Sequence, residues 1–490
     1  MNAPVIVWFR RNLRLADNPA LADAAASGQP LIPVYIRDEN TTGAASDWWL
    51  HESLAALTRS LAERGLRLQF FAGRAAEVLP RLAAATGAGA LCFSRGYSAL
   101  AIAEQDSVEC GLKTEVHAFD DTYLRAPGTV LTQEDRPYRV YTPFWKASRE
   151  LGEPGRPLPE PDRIVVDPSF DDVLRSLPGY CRLDDFRLLP TRPDWSGGLR
   201  SAWTPGEDGA HARLELFADL VAHYADCRDR PDVDMTSRLS PHLHFGEVSP
   251  RQVWHAIHDA AESSRAAAGA EAYLRQLHWR DFNGQLLYHF PEMPVVPLRE
   301  EYGRFPWAPD PELLAAWQAG RTGYPIVDAG MRELWATGWM HNRVRMIVAS
   351  FLVKNLLIPW QQGAEWFLDT LVDADLANNS ANWQWVAGCG TDAAPYFRIY
   401  NPVLQSRKFD PDGRYVRRWV PELARLPDTD LHEPWLADRM TQRTAGVSIG
   451  DDYPEPLVEF AQSRERALDA YRELRSLVQS PAVSPGSSAG

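Results

Sequence analysis

The run VIVWF at residues 5–9 is followed, after a polar loop, by a helical segment at 18–26 and then by a second apolar run, LIPVYI at 31–36. This alternation decides the fold. Short runs rich in β-branched and aromatic residues read as buried strands, and a helix-period segment between two of them makes the crossover of a parallel sheet. The pattern repeats through an amphipathic stretch from Trp49 to Leu66, a strand at Leu68–Phe71, an Ala-rich helix near Ala75–Ala85, and strands at Ala90–Phe93 and Glu115–Phe119. A Rossmann-like α/β domain with a parallel sheet covered on both faces is predicted over residues 1–130. No GxGxxG follows its first strand, so the nicotinamide fingerprint is absent.

Working outward, residues 131–209 are predicted to connect two domains, with 153–205, rich in Pro, Asp and Gly, as a long surface connection. Beyond it the period changes. Helix-period segments at Glu271–His289, Pro311–Ala319, Pro325–Thr337, Arg343–Leu357 and Ala364–Leu371 predict an all-α domain over 210–478. A chain of 490 residues has material for two such cores. The end, residues 479–490, is polar and Pro/Gly/Ser-rich and is predicted to be a disordered tail.

The formal charge of −14 argues at face value against a nucleic-acid partner, but net charge averages over patches. Lysine occurs only at Lys113, Lys146, Lys354 and Lys408; the other basic residues are Arg, whose fork suits phosphate, although a genome rich in G and C gives the same bias. Five widely spaced cysteines without a CxxC predict neither a disulfide framework nor a metal site. The start lacks a signal-peptide pattern and no apolar stretch reaches membrane-spanning length, so a soluble, cytoplasmic protein without membrane association is expected. Eighteen Trp suit either large aromatic cores or stacking and redox surfaces.

Three segments carry chemistry. Asp234 to Arg251 sets hydroxyls at Thr236, Ser237 and Ser240 before an apolar helical stretch, which reads equally as a phosphate cradle or as an ordinary capped helix. His242 and His244 in that segment read as structural or solvent-facing, not as metal ligands. Gly338 to Met346 (GWMHNRVRM) places Asn342 with Met346, and Trp339 with Arg343, on shared helical faces. Asp373 to Trp385 (DADLANNSANWQW) crowds two carboxylates, several amides and two indoles, too many polar groups for packing alone.

On these motifs, together with TGYPIVDAGMRELWATGWMHNRVRM and GTDAAPYFRIYNP, the chain resembles the photolyase and cryptochrome superfamily from VIVWFRRNLRLADNPAL to YPEPLVEF. Within it, GMRELWATGW most resembles the class III bacterial photolyases. The resemblance implies FAD in the helical domain, surrounded by Tyr224, Thr236, Ser237, Arg238, Leu239, Ser240, Tyr273, Arg280, Trp339, Asn342, Arg345, Asp373, Asp375 and Asn379. Arg345 and Asp373 are expected to pair beside the ring system, with Asn379 facing its N5 as a neutral amide. It also implies an electron-transfer chain Trp383, Trp360, Trp307; each alone reads first as a core residue, and the match of all three together favours the relay.

The implied activity is light-driven repair of cyclobutane pyrimidine dimers in UV-damaged DNA, with the lesion flipped out of the duplex. Its pocket maps to Gln276, Trp279, Asn342, Met346 and Trp385, the two indoles sandwiching the thymines. Many dimer photolyases carry Glu where Gln276 stands. Gln also occurs in (6-4) photolyases, but Asn342 and Met346 replace the histidine pair that their lesion needs for acid–base chemistry. Arg228, Arg343, Arg398, Gln405, Arg407 and Lys408 are expected at the flanking phosphates, or else as solvated surface. The alternative is a cryptochrome-type blue-light receptor; Asn379, where plant cryptochromes carry Asp, and the short tail favour repair. The antenna pigment implied is 5,10-methenyltetrahydrofolate, with a deazaflavin as the other choice, and a monomer is expected.

Overall fold

A computed structural model describes residues 3–38, 43–261, 264–396 and 398–479. The expected tail lies outside the described residues apart from its first residue, Gln479, which ends the helix Phe460–Gln479.

Strands β1 (Val5–Phe9), β2 (Leu31–Arg37), β3 (Gln69–Ala72), β4 (Ala90–Ser94), β5 (Glu115–Phe119) and β6 (Tyr180–Cys181) form one sheet in the order β5-β4-β1-β2-β3-β6. All neighbours are parallel except β3 and β6. The five-residue run of β1 is buried throughout because alternate side chains enter different cores. Val5, Val7 and Phe9 face one, where they meet α1 (Pro19–Ala26) and α2 (Ala44–Glu63). Ile6 and Trp8 face the other, against α3 (Ala75–Thr86) and Val108 of α4 (Ala99–Gly111).

Two expectations change here. The stretch predicted as a surface connection is in part interior: β6 adds to the sheet edge, Leu188, Leu199 and Trp203 join the first core, and Leu174 joins the second. Isolated apolar anchors in Pro-rich chain leave no periodic signal, which is why the composition reads as loop. Helix α4 was not expected at all; only Gln105 and Val108 of it are buried, so it lacks an apolar stripe.

The helical region is assembled around close backbone contacts. Helix Glu207–Cys227 packs on Ser264–His289 so tightly that a Cβ at Gly269 would lie 1.8 Å from the Val221 carbonyl oxygen. The helix expected over Arg343–Leu357 is an α-helix at Asn342–Ser350 continued by a π-turn at Phe351–Asn355. Gly338, at φ +66°, ends the preceding helix Pro325–Thr337. Trp339 therefore lies outside any helix and does not share a helical face with Arg343, contrary to the spacing argument. No helix among the described residues is long and apolar enough to cross a membrane.

Candidate functional site

Segments 234–240, 338–345 and 373–379 converge in the helical region. At their meeting point Asp373 accepts hydrogen bonds from Ser240 Oγ (2.6 Å) and from the Arg345 guanidinium (2.9 Å), and Arg345 Nε also donates to the Met340 carbonyl at 2.7 Å. The Asp373 side chain is 4% exposed, and its Oδ1 is buried without a partner. Arg345 reaches it from the first turn of the helix Asn342–Ser350. That helix start is capped by His341, whose Nδ1 accepts from the Arg343 backbone N–H at 3.1 Å. Burial pushes His341 down to about 4, so the ring stays neutral and keeps its acceptor. Behind it, Glu333 accepts from the Tyr415 hydroxyl at 2.6 Å, and burial pushes its carboxyl up to about 7.

The expected hydroxyl cluster is split between tasks. Ser240 is committed to Asp373, Ser237 accepts from the Tyr273 hydroxyl at 3.0 Å, and the N-cap residue of the short helix Ser240–Phe245, Leu239, makes no side-chain cap. Thr236 contributes its carbonyl to Arg213 at 3.3 Å. Tyr224 meets Tyr273 edge to face at 5.3 Å. Arg238, in the left-handed region at φ 50°, lies over the Trp339 indole at 4.7 Å, and Arg345 lies 5.9 Å from the same ring. Both histidines of this segment are buried rather than solvent-facing: His242 pairs with Glu247, and His244 Nδ1 stands 3.7 Å from Asp375 with no hydrogen bond.

Asp375 caps the helix Leu376–Ala387 by accepting from the Asn378 N–H at 2.8 Å. One turn on, Asn379 donates its amide to the Ala364 carbonyl at 3.0 Å, which leaves its own carbonyl oxygen as the free end. Arg280 donates to Leu243 (3.1 Å) and to Thr122 and stacks on Tyr123 at 4.7 Å, tying the α/β half to the helices.

Trp279 and Trp385 line one cleft, together with Phe282, Asn283 and Asn382. Tyr141, which the sequence reading did not single out, stacks flat on Trp279 at 3.6 Å, so only the other face of that indole is open to a ligand. Gln276 bonds back to its own helix at the Ala272 carbonyl (3.0 Å), Asn342 is exposed, and Met346 sulfur receives Arg343 at 3.8 Å. These three are not among the residues lining that cleft.

Trp383 and Trp360 are fully buried in the largest core and Trp307 packs half-buried at its edge. A Cβ at Gly363 would lie 2.2 Å from the Trp383 ring, so the helices Trp360–Thr370 and Leu376–Ala387 cross at contact distance. Trp317, also passed over in the sequence, is a ring neighbour of Trp383 at 6.3 Å. The expected phosphate-binding side chains are mostly engaged: Arg343 pairs with Asp229 at 2.8 Å and Arg407 with Glu433 at 2.6 Å, Lys408 lies over Phe409, and Arg228 lies over Tyr224. Arg398 is exposed and Gln405 half-buried.

Asp373 Oδ1 is buried without a partner, and His244 Nδ1 has only the Asp375 carboxylate at 3.7 Å, beside an array of Arg, Asn and indole groups. Such atoms call for a polar ligand, and a flavin dinucleotide, with its planar ring, ribityl hydroxyls and phosphates, fits this donor set.

Residues 5–162 match the family described as DNA photolyase, and residues 273–473 match the FAD binding domain of DNA photolyase. The deoxyribodipyrimidine photo-lyase of Agrobacterium fabrum is 46% identical over 479 residues, covering 96% of this chain and 98% of that one. Cryptochrome-1 of Arabidopsis thaliana is 36% identical over 96% of this chain and 70% of its own length. Among solved structures, a bacterial class III photolyase from Agrobacterium tumefaciens superposes with a TM-score of 0.92 at 45% identity, covering 97% of this chain and 98% of that one.

Proposed function

The chain belongs to the photolyase and cryptochrome family, and from that premise we propose that it is a light-driven DNA repair enzyme that splits cyclobutane pyrimidine dimers. The observation that carries the reading is the buried Arg345–Asp373 pair with its unpartnered carboxylate oxygen, in the same helical region as the cleft between Trp279 and Trp385. FAD is the cofactor, and when bound it supplies light absorption and the one-electron chemistry of dimer cleavage.

The chain's own residues do the rest. Tyr224, Thr236 to Ser240, Tyr273, Arg280, Trp339, Arg345, Asp373, Asp375 and Asn379 hold the cofactor. Arg345 pairs with Asp373 in a site where leaving one partner of a buried pair alone costs on the order of 3–5 kcal/mol. Asn379, its amide fixed on Ala364, presents a carbonyl acceptor that does not titrate. Trp279, backed by Tyr141, offers one indole face to a flipped base, a contact of about 1–3 kcal/mol per stacked base. Trp385 forms the opposite wall, and the lesion's edges meet Gln276, from the middle of the helix Ser264–His289, and Asn342 and Met346, from the helix Asn342–Ser350. Trp383, Trp360 and Trp307 pass from full to half burial, the order required of a relay from interior to surface.

Phosphates flanking the lesion meet Arg228, Arg343, Arg398, Gln405, Arg407 and Lys408. Arg343 and Arg407 exchange their carboxylate partners for phosphate on binding, so the contact is salt-dependent. The protein acts as a monomer in this reading, and free cysteines suit the cytoplasm. Similarity to a class III photolyase favours 5,10-methenyltetrahydrofolate over a deazaflavin as antenna.

The test presents reduced protein with oligonucleotides carrying either a cyclobutane dimer or a (6-4) product, in blue light and in darkness. Only the dimer is expected to disappear, and only in light. Repair of the (6-4) product alone would overturn the assignment, and repair of neither at full flavin occupancy would favour a cryptochrome-type receptor, the reading that the similarity to Cryptochrome-1 supports.

A further inference from the structure

We propose that Asp23, Cys92 and His117, in the α/β half and apart from the flavin region, form a binding site for a borderline-soft divalent cation, Zn2+ above all. The sheet makes the placement. Cys92 on β4 and His117 on β5 are register partners in a parallel pair, so their side chains leave the same face side by side. Helix α1 covers that face, packing Leu21 and Ala24 into the core that holds Cys92, and it supplies Asp23. The three donor atoms lie within 4.8 Å of one another on three rigid elements.

The spacing agrees with tetrahedral coordination. With metal–sulfur and metal–oxygen bonds of about 2.3 and 2.1 Å, the two ligand atoms stand roughly 3.6 Å apart. Cys92 Sγ lies 3.6 Å from Asp23 Oδ2. Nitrogen and oxygen ligands stand roughly 3.3 Å apart in such a site, so entry of the metal widens the present 2.6 Å contact between His117 Nδ1 and Asp23. The Asp23 side chain, 40% exposed, has room to turn.

The second ring nitrogen selects the metal-facing one. His117 Nε2 lies 3.1 Å from Glu115 Oε1, two residues back on the same face of β5. A carboxylate on the far nitrogen holds the proton there and leaves the lone pair of Nδ1 for the metal, the usual outer support of a zinc-bound imidazole. An ordinary ion pair accounts for His117 between two carboxylates, but it does not account for a thiol, 1% exposed, turned toward the shared carboxylate. Binding releases the Cys92 proton, and that of His117 Nδ1 where present, to solvent, with no redox change. Thiolate, carboxylate and neutral imidazole then cancel the dication's charge, water takes the fourth position, and the soft sulfur disfavours Mg2+ and Ca2+. The sequence predicts no metal site because the ligands lie far apart in the chain and meet only through strand register.

The flavin-loaded protein, stripped with EDTA, is dialysed against zinc chloride in excess Mg2+, and bound metal is counted by mass spectrometry. The expected result is one zinc per chain with a single sulfur neighbour at about 2.3 Å in its X-ray absorption spectrum. Cys92→Ser and His117→Ala should each weaken binding at least a hundredfold, and Glu115→Gln about 10–100-fold, while substitution of the exposed Cys110 changes nothing. Should either core variant fail to fold, Asp23→Asn gives the same comparison, with flavin content as the check on folding. No zinc in the wild type, no sulfur neighbour, or unchanged affinity in the variants overturns the site.

Discussion

Strand β1 is buried throughout and the segment from Asp373 to Asn379 is buried at Asp373, Ala374, Ala377 and Asn379, yet in different company. Every residue of β1 is apolar and its backbone pairs on both sides with β2 and β4. Burial of that kind is stabilising as it stands, at about 25 cal/mol per Å². Asp373, by contrast, is held by Ser240 and Arg345, with one carboxylate oxygen left without a partner, and, two residues on, Asp375 faces the buried His244. The sheet half has orphans too, among them the indole N–H groups of Trp8 and Trp48 and one oxygen of Asp121, whose other oxygen pairs with Arg14 at 2.6 Å. The strands themselves are complete in backbone pairing and apolar packing, whereas the polar groups of the helical centre are completed by what it binds.

The sharpest way to break that contrast is Asp373→Ala, which leaves the Arg345 guanidinium without its partner. A loss of about 3–5 kcal/mol is expected, a fall in FAD affinity of at least about a hundredfold, read from the flavin-to-protein absorbance ratio. Leu79→Ala in the second sheet core is the counterpart: about 2–5 kcal/mol lost in denaturant unfolding, with flavin per folded molecule unchanged. Trp279→Ala should cost lesion binding about 1–3 kcal/mol by titration with a dimer-containing oligonucleotide and leave flavin content alone. Trp360→Phe is expected to slow flavin photoreduction about tenfold or more, roughly 1.4 kcal/mol in barrier, while repair by chemically reduced protein persists.

The smallest effect concerns pH. Burial holds Glu333 up to about 7 in the folded chain, so between its unfolded value near 4.3 and 7 the folded state binds the extra proton. Stability from this group is present at low pH and is lost as pH rises through 7. Glu333→Gln, which keeps an acceptor for Tyr415, should therefore gain in Tm relative to wild type between pH 5 and pH 8, by on the order of 1 °C.

Strands β1, β2 and β4 were legible in the sequence because a parallel strand buried on both faces is a continuous apolar run. Two-residue β6 and the weakly striped α4 carry no such run. At the site, the crowding of polar residues in DADLANNSANWQW called for buried partners or a polar ligand, but the pairing of Arg345 with Asp373 came from family likeness and not from spacing. Tyr141 behind Trp279, and Glu333 behind His341, were invisible because side chains distant in sequence meet only after helices pack. Likewise nothing in a linear pattern shows that Arg343 already holds Asp229.

Flavin and lesion are proposed to act together in the helical region, and the measurement closest to that claim is a single-turnover experiment. Chemically reduced protein, in excess over an oligonucleotide bearing one thymine dimer and at a concentration that leaves part of the oligonucleotide unbound, is flashed with blue light and the restored thymines are separated by chromatography. Restoration in light by wild type and by Trp360→Phe, loss in Trp279→Ala at the same subsaturating concentration, and none in darkness is the predicted result. A dimer that is bound by flavin-loaded protein yet survives illumination would contradict it.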